Sequence, residues 1–199
     1  MMFVQHRGKR PVVHSDAYVA PNAVLCGDVT VSAGARVLFG AVVTAEDGRV
    51  EIGANSVVME NALIRGRSGH PVTLGRDVLV GPHAHVNGAQ VGDGAFLATG
   101  VAVFPGAVIG AGSEVRIRAV VHVNSVVAPD SMVPIGWIAV GDPAEAFPPE
   151  RHDEIWARQE ALRFPETVYG VPRSTSAEDR MAAQSQWYGA HGDDQVYRE

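Results

Sequence analysis

One residue in six constrains this chain more than anything else in it. Val13, Val19, Leu25, Val31, Val37 and Val43 fall six apart, and after a three-residue insertion the series resumes at Ile52, Val58 and Ile64. A four-residue insertion precedes Leu74, Val80 and Val86. One residue is then dropped, and Val91, Leu97, Val103, Ile109, Val115, Val121, Val127 and Val133 complete the series. All 20 positions are Val, Ile or Leu in a chain where those types total 46 of 199 residues, so chance is no competitor. Four residues after most of them stands a small residue, as at Ala17, Ala23, Ala35, Ala41, Ala62, Ala84 and Ala95.

A period of six fits neither the 3.6 of a helix nor the 2 of a simple strand. A bulky β-branched residue every six points inward, a small one turns the corner, and three hexads close a triangular rung. Successive rungs stack as parallel strands about 4.8 Å apart. The expected fold is all-β, a parallel β-helix of hexapeptide repeats with about seven rungs over residues 12–145. Residues 146–199 should form a C-terminal helix and tail that pack on the β-helix or on a neighbouring subunit. A helix over Glu150–Leu162 would put Ile155, Trp156, Gln159 and Leu162 on one face. A segment with Pro165, Gly170 and Pro172 reads as an extended linker, followed by a short helix over Ser176–Tyr188.

Composition removes several classes of function. No apolar run approaches the roughly 20 residues needed to span a bilayer, and Met1–Arg10 lacks the apolar core of a secretory signal. Cys26 is the single cysteine, which excludes an internal disulfide and a Cys-rich zinc site. The formal charge of −6 comes with no basic stripe, so neither nucleic acid nor a membrane is an expected partner. These features suit a cytoplasmic protein.

Gly27-Asp28-Val29, a hexad, the insertion at 44–51 leading into Ile52-Gly53, the second insertion at 65–73 and the pentad after Val86 resemble the γ-class carbonic anhydrases. The closing Gly141-Asp142-Pro143-Ala144 is similar to the end of many hexapeptide-repeat proteins. The resemblance implies a left-handed coil and a homotrimer with a site at each subunit interface. In the family that site holds zinc through two histidines of one subunit and one of its neighbour. Carried over residue by residue, the three ligand positions fall on Arg65, Pro82 and Asn87, and helper positions on Glu46 and Met59. Arginine is a permanent cation and proline has no side-chain donor atom, so the usual zinc site is expected to be absent.

Counting hexads puts Cys26, Thr44, Arg65, Asn87, Phe104 and His122 in one outward column. The family's neighbouring column would offer Met59, Pro82, His83, Arg116 and Arg118. Three readings of this cleft stand side by side. In the first, Arg65, Asn87, Phe104, Arg116 and His122 hold a small anionic molecule, with Arg67 and His70 close by. In the second, His83 or His85 is the general base of a coenzyme-A-dependent acyltransferase. In the third the trimer is a non-catalytic scaffold. Zinc enters only at a relocated site on His83 and His85, joined by His70 or His122. Both histidines also read as interface hydrogen-bonding groups, and whether the protein is an enzyme stays open.

Overall fold

The computed structural model describes residues 1–197 and is a left-handed parallel β-helix followed by short helices. The repeat explains its core directly. Nineteen of the 20 inward positions are buried, and Val13, near the first turn, is half-buried. Inward residues of successive rungs pair in register, Val43 with Ile64, Ile64 with Val86, Val86 with Val103 and Val103 with Val121. Each therefore packs on its counterpart one rung away, and the core is a continuous column of branched aliphatic side chains.

Corners recur at fixed places. Asn61 and His83 occupy the same corner as Gly40, Gly100 and Gly136, all with left-handed backbone. Their N–H groups bond the chain one rung below, Asn61 to Phe39 and His83 to Glu60. Glycine and asparagine tolerate that conformation; a histidine in it carries strain.

One face positions the candidate site. It runs through Met2–Gln5, Val24–Val31, Val42–Ile52, Leu63–Gly66, His85–Asn87, Ala102–Val103, Val120–Val121 and Ile138–Val140. These eight strands correct the expectation of about seven rungs starting at residue 12. Met2–Gln5 had no place in the hexad count, yet it pairs in parallel with Val24, Leu25 and Cys26, and Phe3 joins the core.

The tail also differs from expectation in part. Helix α1 (His152–Gln159), continued by a turn of 3₁₀ helix over Glu160–Leu162, packs Ile155 against Val140 and Phe147, while Trp156 stays exposed. The expected linker contains a further helix, α2 (Phe164–Tyr169), with Pro165 in its first turn and Gly170 ending it in the left-handed conformation. Proline is tolerated there because the first N–H groups of a helix have no partner to lose. Helix α3 (Ala177–Tyr188) starts where the sequence indicates: Ser176 caps it, its hydroxyl accepting from Asp179 N at 3.0 Å. After Gly189–Asp193 the strand Gln195–Tyr197 pairs antiparallel with Met2–Gln5. Residues 146–197 are thus joined to the main sheet rather than set apart from it, and residues 198–199 lie outside the described part. Among the described residues no helix is long and apolar enough to cross a membrane.

Truncation of an inward residue at mid-height should be costly. Ile64→Ala is expected to lower unfolding free energy by about 2–5 kcal/mol, whereas His83→Gly, at the strained corner, should leave it unchanged or raise it. Chemical denaturation of both variants checks the pair.

Candidate functional site

The outward column of this face is set by strand register. Cys26 lies beside Thr44, Thr44 beside Arg65, and Arg65 beside Asn87. Phe104 and His122 follow the paired residues Val103 and Val121, and their rings stack at 6.0 Å. His85 stands two residues before Asn87 on the same strand, so both side chains leave the same side of the sheet.

The protein's own tail lies along this column. Phe164 packs on Phe104 and His122 with centroids 5.7 and 5.4 Å apart. Asn124 donates to the Leu162 carbonyl and the Thr167 hydroxyl, both at 3.0 Å. Tyr188 covers Arg65, whose guanidinium donates to the phenol oxygen at 3.4 Å, and Trp187 lies against Arg67. Between α2, α3 and the second insertion is a cleft lined by Arg67, His70, Glu166, Thr167, Tyr169 and Trp187 among others. His70 packs so close to the rung that a Cβ on Gly88 would come within 2.7 Å of the His70 Cβ.

The electrostatics are unusual for a covered surface. Arg65 Nε, His85 Nε2, Asn87 Oδ1 and His122 Nδ1 are buried and have no hydrogen-bond partner among the described residues. Asn87 is 4% and His122 6% exposed. Burial, and then the charge of Arg65, hold the His85 pKa below the ordinary imidazole value. Burial does the same at His122, partly offset by the Val123 backbone. His70 is lowered by burial and by Arg67. Among the described residues neither Arg65 nor Arg67 forms an ion pair. An orphaned buried polar atom costs about 1–3 kcal/mol, and four of them lie along this one column.

Other candidates fall elsewhere. His83 is exposed at its left-handed corner, so it and His85 do not share an extended strand, and the two-histidine metal site on them lacks its geometry. Arg116 is exposed, paired with Glu114 at 3.2 Å, and lies on a different face of the β-helix. There it lines an apolar groove with Met59, Pro82, Phe96, Ile117 and Ile135. Arg65, Pro82 and Asn87, to which the resemblance assigns the family's zinc-ligand positions, offer one fixed cation, one ring without a donor and one amide. They do not fit zinc.

A second cluster was not legible in the sequence. Below Arg65 the tail brings His191 and Asp194 against His6 and Cys26, with one donor atom of each within 4.8 Å of the others. Asp194 bridges two rings, bonding His6 Nδ1 at 2.7 Å and His191 Nδ1 at 2.8 Å. His191 Nε2 meets Glu46 Oε2 at 2.9 Å, and Thr44 donates to the other Glu46 oxygen at 2.9 Å. Burial alone would lower His191, but its bonds and charges with Asp194 and Glu46 outweigh it and leave the imidazole raised. Burial would raise Asp194, but its bonds and charges with His191 and His6 outweigh that and leave the carboxyl lowered. Burial pushes the Cys26 thiol up to about 11. His6 and Asp194 are 188 residues apart, and no spacing within the chain signals their meeting.

Comparison with known proteins places this geometry among hexapeptide-repeat proteins. No family model matches the chain. It is 30% identical over 175 residues to the carnitine operon protein CaiE of Escherichia coli O157:H7, covering 84% of this chain and 83% of that protein. To the mitochondrial γ carbonic anhydrase 2 of Arabidopsis thaliana it is 29% identical over 74% of its own length, and to γ carbonic anhydrase 1 it is 31% identical over 48%. The matched segments span 53% and 37% of those two plant proteins. A hexapeptide transferase family protein from Anaplasma phagocytophilum shares the fold, with a TM-score of 0.52 at 21% identity over 96% of this chain and 97% of that one.

The depressed histidines set a pH dependence. A folded-state pKa below 6.5 means the unfolded chain binds more protons, so His122 should cost stability as pH falls from 6.5 toward its folded value. Replacing the ring by an apolar one, His122→Phe, should flatten the loss of melting temperature between roughly pH 7.5 and 5 relative to the native protein. An unchanged slope would place the acid sensitivity elsewhere.

Proposed function

Because the chain belongs to the γ-carbonic-anhydrase-like family of hexapeptide-repeat proteins that includes CaiE, we propose that it is a homotrimer binding a small anionic molecule at the Arg65–Asn87 column. The observation that carries this reading is the row of unpartnered buried groups, Arg65 Nε, His85 Nε2, Asn87 Oδ1 and His122 Nδ1, beside two guanidiniums that no carboxylate neutralises. A carboxylate or phosphate suits it, because Arg65 presents a fork of donors and Asn87 an adjustable amide. Phe104 and Phe164 supply an apolar wall. Glu166, whose Oε2 is also unpartnered, stands across the cleft and would select against a ligand carrying too much charge on that side. His85, kept neutral, can accept a proton from a bound acid. In this reading zinc at Arg65, Pro82 and Asn87 plays no part.

The homotrimer is supported by the second face of the β-helix. Phe96, Ile117 and Ile135 are exposed there and line one apolar groove with Met59 and Pro82, a surface of the kind that marks a protein–protein contact. Assembly through it would bring the Arg116 of one copy toward the column of the next.

Two measurements test these points. Calorimetric titration of the intact protein with acetate, bicarbonate and inorganic phosphate should show saturable binding of at least one, weakened roughly 10- to 100-fold by Arg65→Gln. No binding of any anion would reject the reading; coenzyme A binding in their place would favour acyl transfer, and neither would favour a scaffold. Ile117→Glu should convert the trimer to monomer in sedimentation analysis, and a native protein that is already monomeric would overturn the assembly.

A further inference from the structure

We propose that His6, Cys26, His191 and Asp194 form a binding site for one zinc-class divalent cation, held within a single chain and independent of the anion column. The four residues come from the turn after the first strand, the first full rung and the far end of the tail, and their donor atoms already lie within 4.8 Å of one another. Two imidazoles, a thiolate and a carboxylate are a borderline-soft tetrahedral donor set of the sort zinc prefers. His6 is 2% and Cys26 6% exposed, and the half-buried His191 and Asp194 close over them, so the set sits at the edge of the interior rather than scattered on a wet surface.

The outer groups are also in place. With Nδ1 of each ring directed at the cation, His191 Nε2–H donates to Glu46 Oε2 and His6 Nε2–H to the Glu46 carbonyl, contacts that now measure 2.9 and 3.2 Å. A metal-bound histidine usually has such a partner on its second nitrogen. Arg7 Nε donates to His6 Nε2 in the cation-free arrangement; that contact is given up, and Arg7 keeps its place over Trp187. Asp194 bonds both rings at hydrogen-bond distance, whereas zinc at about 2.0–2.3 Å from each donor needs them somewhat further apart. Binding therefore replaces two hydrogen bonds by metal bonds. It releases the Cys26 thiol proton, and that of His191 when the ring is charged, to solvent. A shallow pocket beside His6 and Glu46, lined by Asp28 and Asp47 together with Arg7, Lys9 and Arg49, gives the ion its way in.

Four protein donors and no open position describe a structural clip, not a reaction centre. Its effect would be to lock the tail onto the first rung. The test uses the full-length native protein. Elemental analysis after purification without chelator should find about one zinc-class ion per chain, and added Zn²⁺ should raise the melting temperature of chelator-treated protein. Co²⁺ should produce thiolate-to-metal charge-transfer absorption, lost in Cys26→Ser, and Zn²⁺ should protect Cys26 of the unmutated protein from thiol reagents. Absence of stoichiometric metal together with no Zn²⁺ effect on melting would leave only a hydrogen-bond network and overturn the proposal. Metal retained undiminished by His191→Gln/Cys26→Ser would overturn it as well, since the ion would then be held elsewhere.

Discussion

Everything in this molecule hangs on the stacking of inward side chains from one rung to the next. A parallel strand pair fixes not only which residues touch but at what height, so a Val, Ile or Leu must return each time the chain completes one side of the triangle. Each such burial contributes on the order of 1.5–3 kcal/mol against the entropy of ordering the chain. The register that serves the core also fixes every outward residue to within a rung. Insertions are tolerated only at the corners, where the second one rises beside the column and brings Arg67 and His70 to its edge.

That outward freedom is where chemistry collects. The column between Thr44 and His122 contributes nothing to the aliphatic core, yet the tail covers it and leaves four of its polar atoms without a partner. A covering segment that left water-loving groups unpaired by default would be a liability. Here the unpaired groups share one edge, and a fixed positive charge sits among them while the neighbouring histidines stay neutral. Their neutrality is a product of position: burial and Arg65 act in the same direction on His85.

The core was legible because its signal is one-dimensional: a fixed period survives insertions and can be counted. Residues such as Arg65, Asn87 and His122 could be placed for the same reason, since a column is the same count shifted by one. His83 was misread because two histidines two apart look like a strand. Its phase relative to Gly40, Gly100 and Gly136 marks a corner. Helix α2 was missed because Pro165 and Gly170 were taken as breaks, whereas here they begin and end one turn of structure. The first strand and the cluster of His6 with His191 and Asp194 had no sequence signal at all. The cluster depends on a tail folding back over the whole height of the β-helix, and that path is decided by packing, not by local pattern.

The pairing of Met2–Gln5 with Gln195–Tyr197 has a consequence for how the molecule comes into being. A β-helix can wind up rung by rung as it leaves the ribosome, each new turn finding a template already laid down. Its first strand, however, is an open edge throughout, offering unpaired backbone groups to any other extended chain. The segment that closes this edge, Gln195–Tyr197, is synthesised only after every rung of the β-helix. A nascent chain therefore carries its lowest rung exposed until Gln195–Tyr197 has been made, and that strand then acts as a seal on a surface laid down long before it.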